Sequence, residues 1–144
     1  MIKKDSTIVN SSNMGVFEQA LNHYSYIAYD VETTGLNVRK DKMIGFSICG
    51  EAGKAFYYPL FVWHSNQLIT YEQNINSIKK YLNIIKSKEL LTWNGSFDIR
   101  ITENNFGVNL LDSLIADGML LKHTVNEDGP FGLKISGIEL QDKI

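Results

Sequence analysis

The sequence is short of everything that staples or anchors a chain. It has a single cysteine, Cys49, so no internal disulfide framework is available to it. Its three histidines, His23, His64 and His123, stand far apart and match no zinc-ligand spacing. No apolar run is long enough to cross a bilayer, which excludes a membrane-spanning class. The opening MIKKDSTIVNSS carries two lysines with no apolar stretch behind them, so neither a signal peptide nor an anchor is expected and the expected setting is cytoplasmic. An excess of positive charge is also missing: 14 basic against 16 acidic residues leave a net charge of -2. Nucleic-acid binding by bulk charge is thereby excluded, and a polyanionic substrate would need local help such as metal ions. What the chain does have is 44% hydrophobic residues in 144, the composition of one globular domain with one core.

Residues 1–13 read as a flexible leader and residues 14–144 as one continuous domain. Val16, Phe17, Ala20 and Leu21 recur at helical spacing, with Ser12 or Asn13 as cap and an end near His23. The period then changes. Tyr26–Val31, Met43–Cys49 and Lys54–Leu60 are aromatic and β-branched runs separated by turn chemistry, and they predict an antiparallel three-strand meander. Thr70 and Gln73 form a capping box ahead of the stripe Ile75, Ile78, Leu82 and Ile85, a helix to about Lys86. Glu89–Trp93 predicts a fourth strand. A helix from Asn94 or Gly95 follows, stopped near Asn104 by the glycine of NNFG. Leu110 and Leu111 read as a short strand, Asp112 as the cap of a helix over 113–123, and a last helical run starts near Leu133. Three strands followed by alternating helices and strands predict an α/β fold with a mixed sheet.

Tyr29-Asp30-Val31-Glu32 closes the first of these strands. Residues two apart on a strand share a face, so Asp30 and Glu32 are neighbours at the end of an apolar run. Two adjacent carboxylates repel and raise each other's pKa, unless a divalent cation such as Mg²⁺ or Mn²⁺ holds them. The spacing alone leaves two readings open, a cation site or a strand end that simply faces water. Trp93-Asn94-Gly95-Ser96-Phe97-Asp98 is equally double: Asn94 as helix cap and Asp98 in a first turn satisfy the helix dipole with no function at all. The combination is sharper. If the first strand is central, the C-terminal ends of the first and fourth strands meet at one edge, and three carboxylates converge in a two-metal arrangement.

Asp30-x-Glu32-Thr-Thr-Gly-Leu36 followed by Asn94-x-x-x-Asp98 resembles the first two motifs of the DEDD 3′-to-5′ exonucleases, which have a ribonuclease H-like fold. The strand pair IGFSIC and GKAFYYPL is similar to the proofreading domain of A-family (DNA polymerase I-type) DNA polymerases, phage versions included. Asp112-Ser-Leu-Ile-Ala-Asp-Gly-Met-Leu-Leu and Gly132-Leu-Lys are similar to the next elements of that branch. The resemblance implies that Asp30 bridges two divalent cations (Mg²⁺ or Mn²⁺), that Glu32 completes one of them and that Asp98 holds the other. It implies contacts of Thr33, Leu36 and Asn94 with the 3′ end of single-stranded DNA, Leu36 as an apolar wedge.

The family's third motif, Tyr-x-x-x-Asp or His-x-x-x-Asp after the Gly132-Leu-Lys helix, has no match here. His123 precedes Glu127 by four, but in the wrong order relative to that helix. The expectation is therefore a C-terminally truncated ribonuclease H-like domain with three of four ligands, cutting poorly by itself. Alternatives are a non-catalytic nucleic-acid-binding or polymerase-interaction module that pairs with the remaining polymerase polypeptide, and a ribonuclease D-like RNA exonuclease. Asn37–Lys42 is a basic loop, read as a solvated hairpin more readily than as a phosphate contact. Phe46, Phe56, Tyr57, Tyr58, Phe61 and Trp63 read as core and edge packing rather than a stacking platform. Asp117 reads as part of a solvated helix face.

Overall fold

Alternation along the central strand decides which way the sheet faces. The computed structural model describes residues 4–125, and within them β2 (Tyr26–Thr33) buries Ile27, Tyr29 and Val31 while Ala28, Asp30 and Glu32 are exposed. β2 pairs antiparallel with β3 (Met43–Glu51), and β3 antiparallel with β4 (Lys54–Pro59). On its other side β2 runs parallel to β7 (Glu89–Thr92), which runs parallel to β8 (Leu114–Asp117). With β1 (Asp5–Ile8) parallel to β4, the order is β1-β4-β3-β2-β7-β8. The mixed sheet is as expected, antiparallel on one side of β2 and parallel on the other.

One face carries the core. Helices α1 (Met14–His23), α2 (Glu72–Lys86) and α3 (Gly95–Phe106) bring Phe17, Leu21, Ile78, Tyr81, Leu82, Ile85, Ile99 and Ile101 onto it. A chain of ring contacts crosses this face: Phe17 meets Phe56, Tyr58 and Tyr81, Tyr58 stacks on Phe46 at 5.0 Å, and Phe46 meets Tyr29. The Tyr29 hydroxyl reaches Thr102 of α3 at 2.8 Å. Aromatic pairs of this kind add about 0.5–1.5 kcal/mol each beyond their buried area, so the face is held by packing rather than by charge. α3 ends at Gly107, whose φ of 71° makes the left-handed stop the sequence predicts.

Several expectations are corrected. Residues Asp5–Ile8, read as leader, form an edge strand because their backbone completes the ladder of β4. Thr70 does not cap α2: it is paired with Phe61, since β5 (Phe61–His64) and β6 (Gln67–Thr70) form a hairpin the sequence reading missed. Tyr71 occupies the cap position, with no side-chain bond. Leu111–Ser113 are a 3₁₀ turn containing Asp112, and the strand is Leu114–Asp117, followed by α4 (Gly118–Val125). The helix expected over 113–123 gives way there because pairing with β7 outweighs local helix propensity. The run near Leu133, with Gly132-Leu-Lys, lies outside the described residues. No described helix is long and apolar enough to cross a membrane.

Candidate active site at the carboxylate edge

Parallel pairing of β2, β7 and β8 puts their C-terminal ends at one edge. β7 ends at Thr92, so beyond the pair Ala28–Leu91 the β2 backbone on that side has no ladder partner. Asp98, in the first turn of α3, fills the gap: its Oδ1 accepts the Val31 N–H at 3.3 Å. Val31 lies between Asp30 and Glu32, so Asp98 is bonded to the stretch of backbone that carries those two acids. Asp30 and Glu32 are exposed; Asp98 is buried at 4% exposure. None of the three forms an ion pair among the described residues, where the recorded pair is Lys80–Glu18.

Burial pushes the Asp98 carboxyl up to about 7, helped by the charges of Asp30, Asp117 and Glu32 and opposed by the Val31 N–H. The dipole of α3 favours ionisation, but by about 0.3–1 kcal/mol, less than one pKa unit. Burial and repulsion win. Asp30 is also raised, by its own desolvation. Among the described residues no three His, Cys, Asp or Glu side chains close around a single point. The donors nevertheless fit hard cations such as Mg²⁺ or Mn²⁺, which take one or two carboxylates and complete their shells with water and phosphate oxygens.

The start of α3 is held by a residue the sequence reading missed. Asn94 is not a side-chain cap: it sits in left-handed backbone at φ 59° with no side-chain cap bond. Asp117, buried at the end of β8, does that work from the neighbouring strand. Its Oδ1 accepts the Asn94 and Met119 N–H groups at 2.9 and 3.0 Å, and its Oδ2 accepts the Gly95 N–H at 2.8 Å. Asp117 is thus not on a solvated helix face, and it fixes the turn that aims Asp98. The available signal was Asp117-Gly118 closing the three-residue apolar run Leu114–Ala116, which is how strands end. The Asn94 side chain is left exposed.

Thr33 and Leu36 follow directly. Thr33 sits at a bulge where β2 and β3 shift register, and its hydroxyl donates to Gly35 O at 2.7 Å. Asp41 then takes the Thr34 hydroxyl at 3.0 Å and the Asn37 N–H at 2.7 Å, an approach a Cβ on Gly35 would block. α3 clasps this loop from its far end, Asn104 donating to Val38 O at 2.9 Å and Asn105 accepting the Met43 N–H at 3.1 Å. The loop is ordered by these bonds, yet it presents Leu36 at 87% exposure. One helix therefore carries Asp98 at its start and holds the Leu36 loop at its end.

On the exposed face of the sheet, Tyr57 leans over Gly45, the register partner of Glu32, and leaves no room there for a Cβ. Burial and then the Glu32 charge raise the Tyr57 phenol. An open groove of about 350 Å³ extends from Asp30 along Ala28, Ser47, Cys49, Leu91 and Trp93.

No family model matches the sequence. A 36-residue stretch, 25% of this chain, is 47% identical to DNA polymerase I of Treponema pallidum (strain Nichols) and covers 4% of that protein. Among solved structures, Brucella melitensis NrnC with bound Mg²⁺ is similar at a TM-score of 0.62 and 21% identity, over 97% of this chain and 62% of that one. The catalytic core of RRP6 from Trypanosoma brucei is similar at 0.60 and 15%, over 92% of this chain and 33% of that one. The Aedes aegypti Nibbler EXO domain is similar at 0.55 and 13%, over 86% and 58%. The chain thus spans less than two thirds of the length of each of these proteins. Together with the sheet order, the likeness gives the architecture: a mixed α/β sheet with flanking helices, of the ribonuclease H-like kind.

Proposed function

We propose that this chain is a metal-dependent 3′-to-5′ exonuclease domain of the kind that proofreads in A-family DNA polymerases. The observation that carries this reading is Asp98, a buried carboxylate with no ion pair among the described residues, bonded to the backbone between two other carboxylates. A purely structural role does not account for it, because an asparagine would accept the same N–H without the cost of a buried charge. The exonuclease class is supported by the fold shared with the Nibbler EXO domain and with NrnC, which has been solved with Mg²⁺ and with pGG. The polymerase branch is supported by the 36-residue stretch that is 47% identical to DNA polymerase I of Treponema pallidum (strain Nichols).

In this reading Asp30 would bridge two divalent cations, with Glu32 and Asp98 each completing one. When bound, such a pair supplies an ionised water and neutralises charge on the attacking and leaving oxygens of the phosphodiester. The chain's own residues do the remaining work. Asp98 would have to be ionised to hold such an ion, and Asp117, by fixing the turn at the start of α3, would keep that carboxyl at the edge. Thr33 fixes the turn that offers Leu36 to the terminal base, a contact that tolerates any sequence. Asn94, exposed at the mouth of α3, is a polar contact for the strand.

The test is a 5′-labelled single-stranded oligodeoxynucleotide incubated with the chain and Mg²⁺ or Mn²⁺. The expected outcome is stepwise shortening from the 3′ end, abolished by chelation and in Asp30→Ala. Absence of shortening together with absence of binding to the oligonucleotide and to the metal overturns the proposal. A second reading, a module that binds the 3′ end without cutting it, is favoured because, among the described residues, no three acids close around a single point. DNA binding without shortening selects that reading, and preference for an RNA 3′ end selects a ribonuclease D-like one.

A further inference from the structure

We propose that the β5–β6 hairpin, together with Lys42, is a second binding site for single-stranded DNA, taking the bases upstream of the nucleotide held at Asp30 and Glu32. The inference rests on the function proposed above and deepens it.

The hairpin leaves the sheet at the carboxylate edge. β4 ends at Pro59, in register with Gly45, which is in register with Glu32. Two strand spacings of about 4.8 Å place the hairpin base roughly 10 Å from the Glu32 backbone. That base is clamped, Leu60 N–H to Ile44 O and Tyr71 N–H to Leu60 O, both at 2.8 Å. Its tip is the two-residue turn Ser65-Asn66 with φ of 47° and 61°, the left-handed pair that matches strand twist. The hairpin is therefore a stiff projection.

Its two faces differ. Phe61 and Trp63, two residues apart on β5, share one face with their partners Thr70 and Leu68. Phe61 packs back on the core and carries the Lys42 ammonium 5.4 Å above its ring. Trp63, one step outward on the same face, is 60% exposed and has no ring partner among the described residues. It is not the edge packing expected of it. A cation over one ring followed by an open indole matches the alternating phosphate and flat base of a single strand. Base stacking needs no sequence, and the ammonium supplies charge that a chain of net charge -2 lacks in bulk. Arg39 and Lys40, in the loop that leads to Lys42, are exposed as well.

Binding of a fluorescent oligothymidylate of roughly 12 nucleotides to the full chain, read by anisotropy with Ca²⁺ in place of Mg²⁺, tests this against a thymidine dinucleotide competitor. Trp63→Ala is expected to weaken the long oligonucleotide about tenfold, the equivalent of one stacked base, and to leave the dinucleotide unchanged. Trp63→Phe should restore most of the loss. Lys42→Gln should lower the slope of log affinity against log salt by about one. Unchanged thermal melting separates these effects from misfolding. Equal binding of the long oligonucleotide by wild type and Trp63→Ala overturns the inference and leaves the proposed function standing. An equal loss on the dinucleotide overturns the upstream placement. A wild type that binds neither probe fails the functional reading itself, and the inference with it.

Discussion

The two faces of the central sheet are made by the same strands and do opposite things. On one, Tyr29, Phe46, Phe56 and Tyr58 lie buried under three helices in a chain of ring contacts completed by Phe17, with Ile48 buried beside them. On the other, Ala28, Asp30, Ser47 and Cys49 border an open groove, and the exposed Glu32 follows Asp30 on the same face of β2. Asp98 belongs to both: its helix is rooted in the covered face through the Thr102–Tyr29 bond, while its carboxylate lies against the β2 backbone between Asp30 and Glu32. The covered face supplies the stability, and part of it is spent on holding a buried carboxylate in place.

Substitutions on the two faces should therefore separate stability from binding. The largest expected effect is on the covered face: Phe46→Ala should lose about 3–5 kcal/mol in urea unfolding, as for other large core deletions. Ser47→Ala, one residue along but facing the groove, should change stability by no more than about 0.5 kcal/mol.

Asp98→Asn should break the contrast in the opposite direction. The native pKa of Asp98, about 7, lies above its unfolded value, so the native state binds the extra proton. Its contribution is fully present below about pH 4 and is lost as pH rises through about 7. Wild-type stability should accordingly decline between pH 5 and pH 8 by roughly 2–4 kcal/mol. Asp98→Asn should flatten that decline, be the more stable protein at about pH 8, and lose affinity for divalent cations in a calorimetric titration.

Asp117→Asn is expected to cost about 1–3 kcal/mol, because it removes the charged acceptor of two N–H groups at the start of α3. By removing a neighbouring charge it should also bring the Asp98 carboxyl down. Leu36→Ala, at a residue 87% exposed, should leave unfolding unchanged within about 0.5 kcal/mol while weakening binding of a 3′-terminal nucleotide.

How much of this could be read in the sequence depends on how local each feature is. The period-two alternation of Tyr26–Val31 fixes which side of β2 is buried, so the shared face of Asp30 and Glu32 was legible. So was the glycine stop of α3, because only a left-handed residue ends the helix there. Asp117 was not. Leu110–Leu121 reads equally well at helical spacing, and only the ladder with β7 makes Leu114–Asp117 a strand. The β5–β6 hairpin escaped for a related reason: its turn is Ser65-Asn66 rather than a glycine pair, and Thr70 with Gln73 imitates a capping box. The convergence of Asp98 with Asp30 needed the strand order, which the parallel edge supplied in outline but not the Val31 bond.

On the proposed function, Asp98 keeps its proton at the carboxylate edge up to about pH 7 unless a divalent cation takes the proton's place. A ¹³C titration of the Asp98 carboxyl, without and with saturating Mg²⁺, tests it directly. The expected result is a midpoint near 7 without the ion, falling by several units when it is present. A midpoint near 4 in both titrations, the ordinary value for an aspartate, would contradict it.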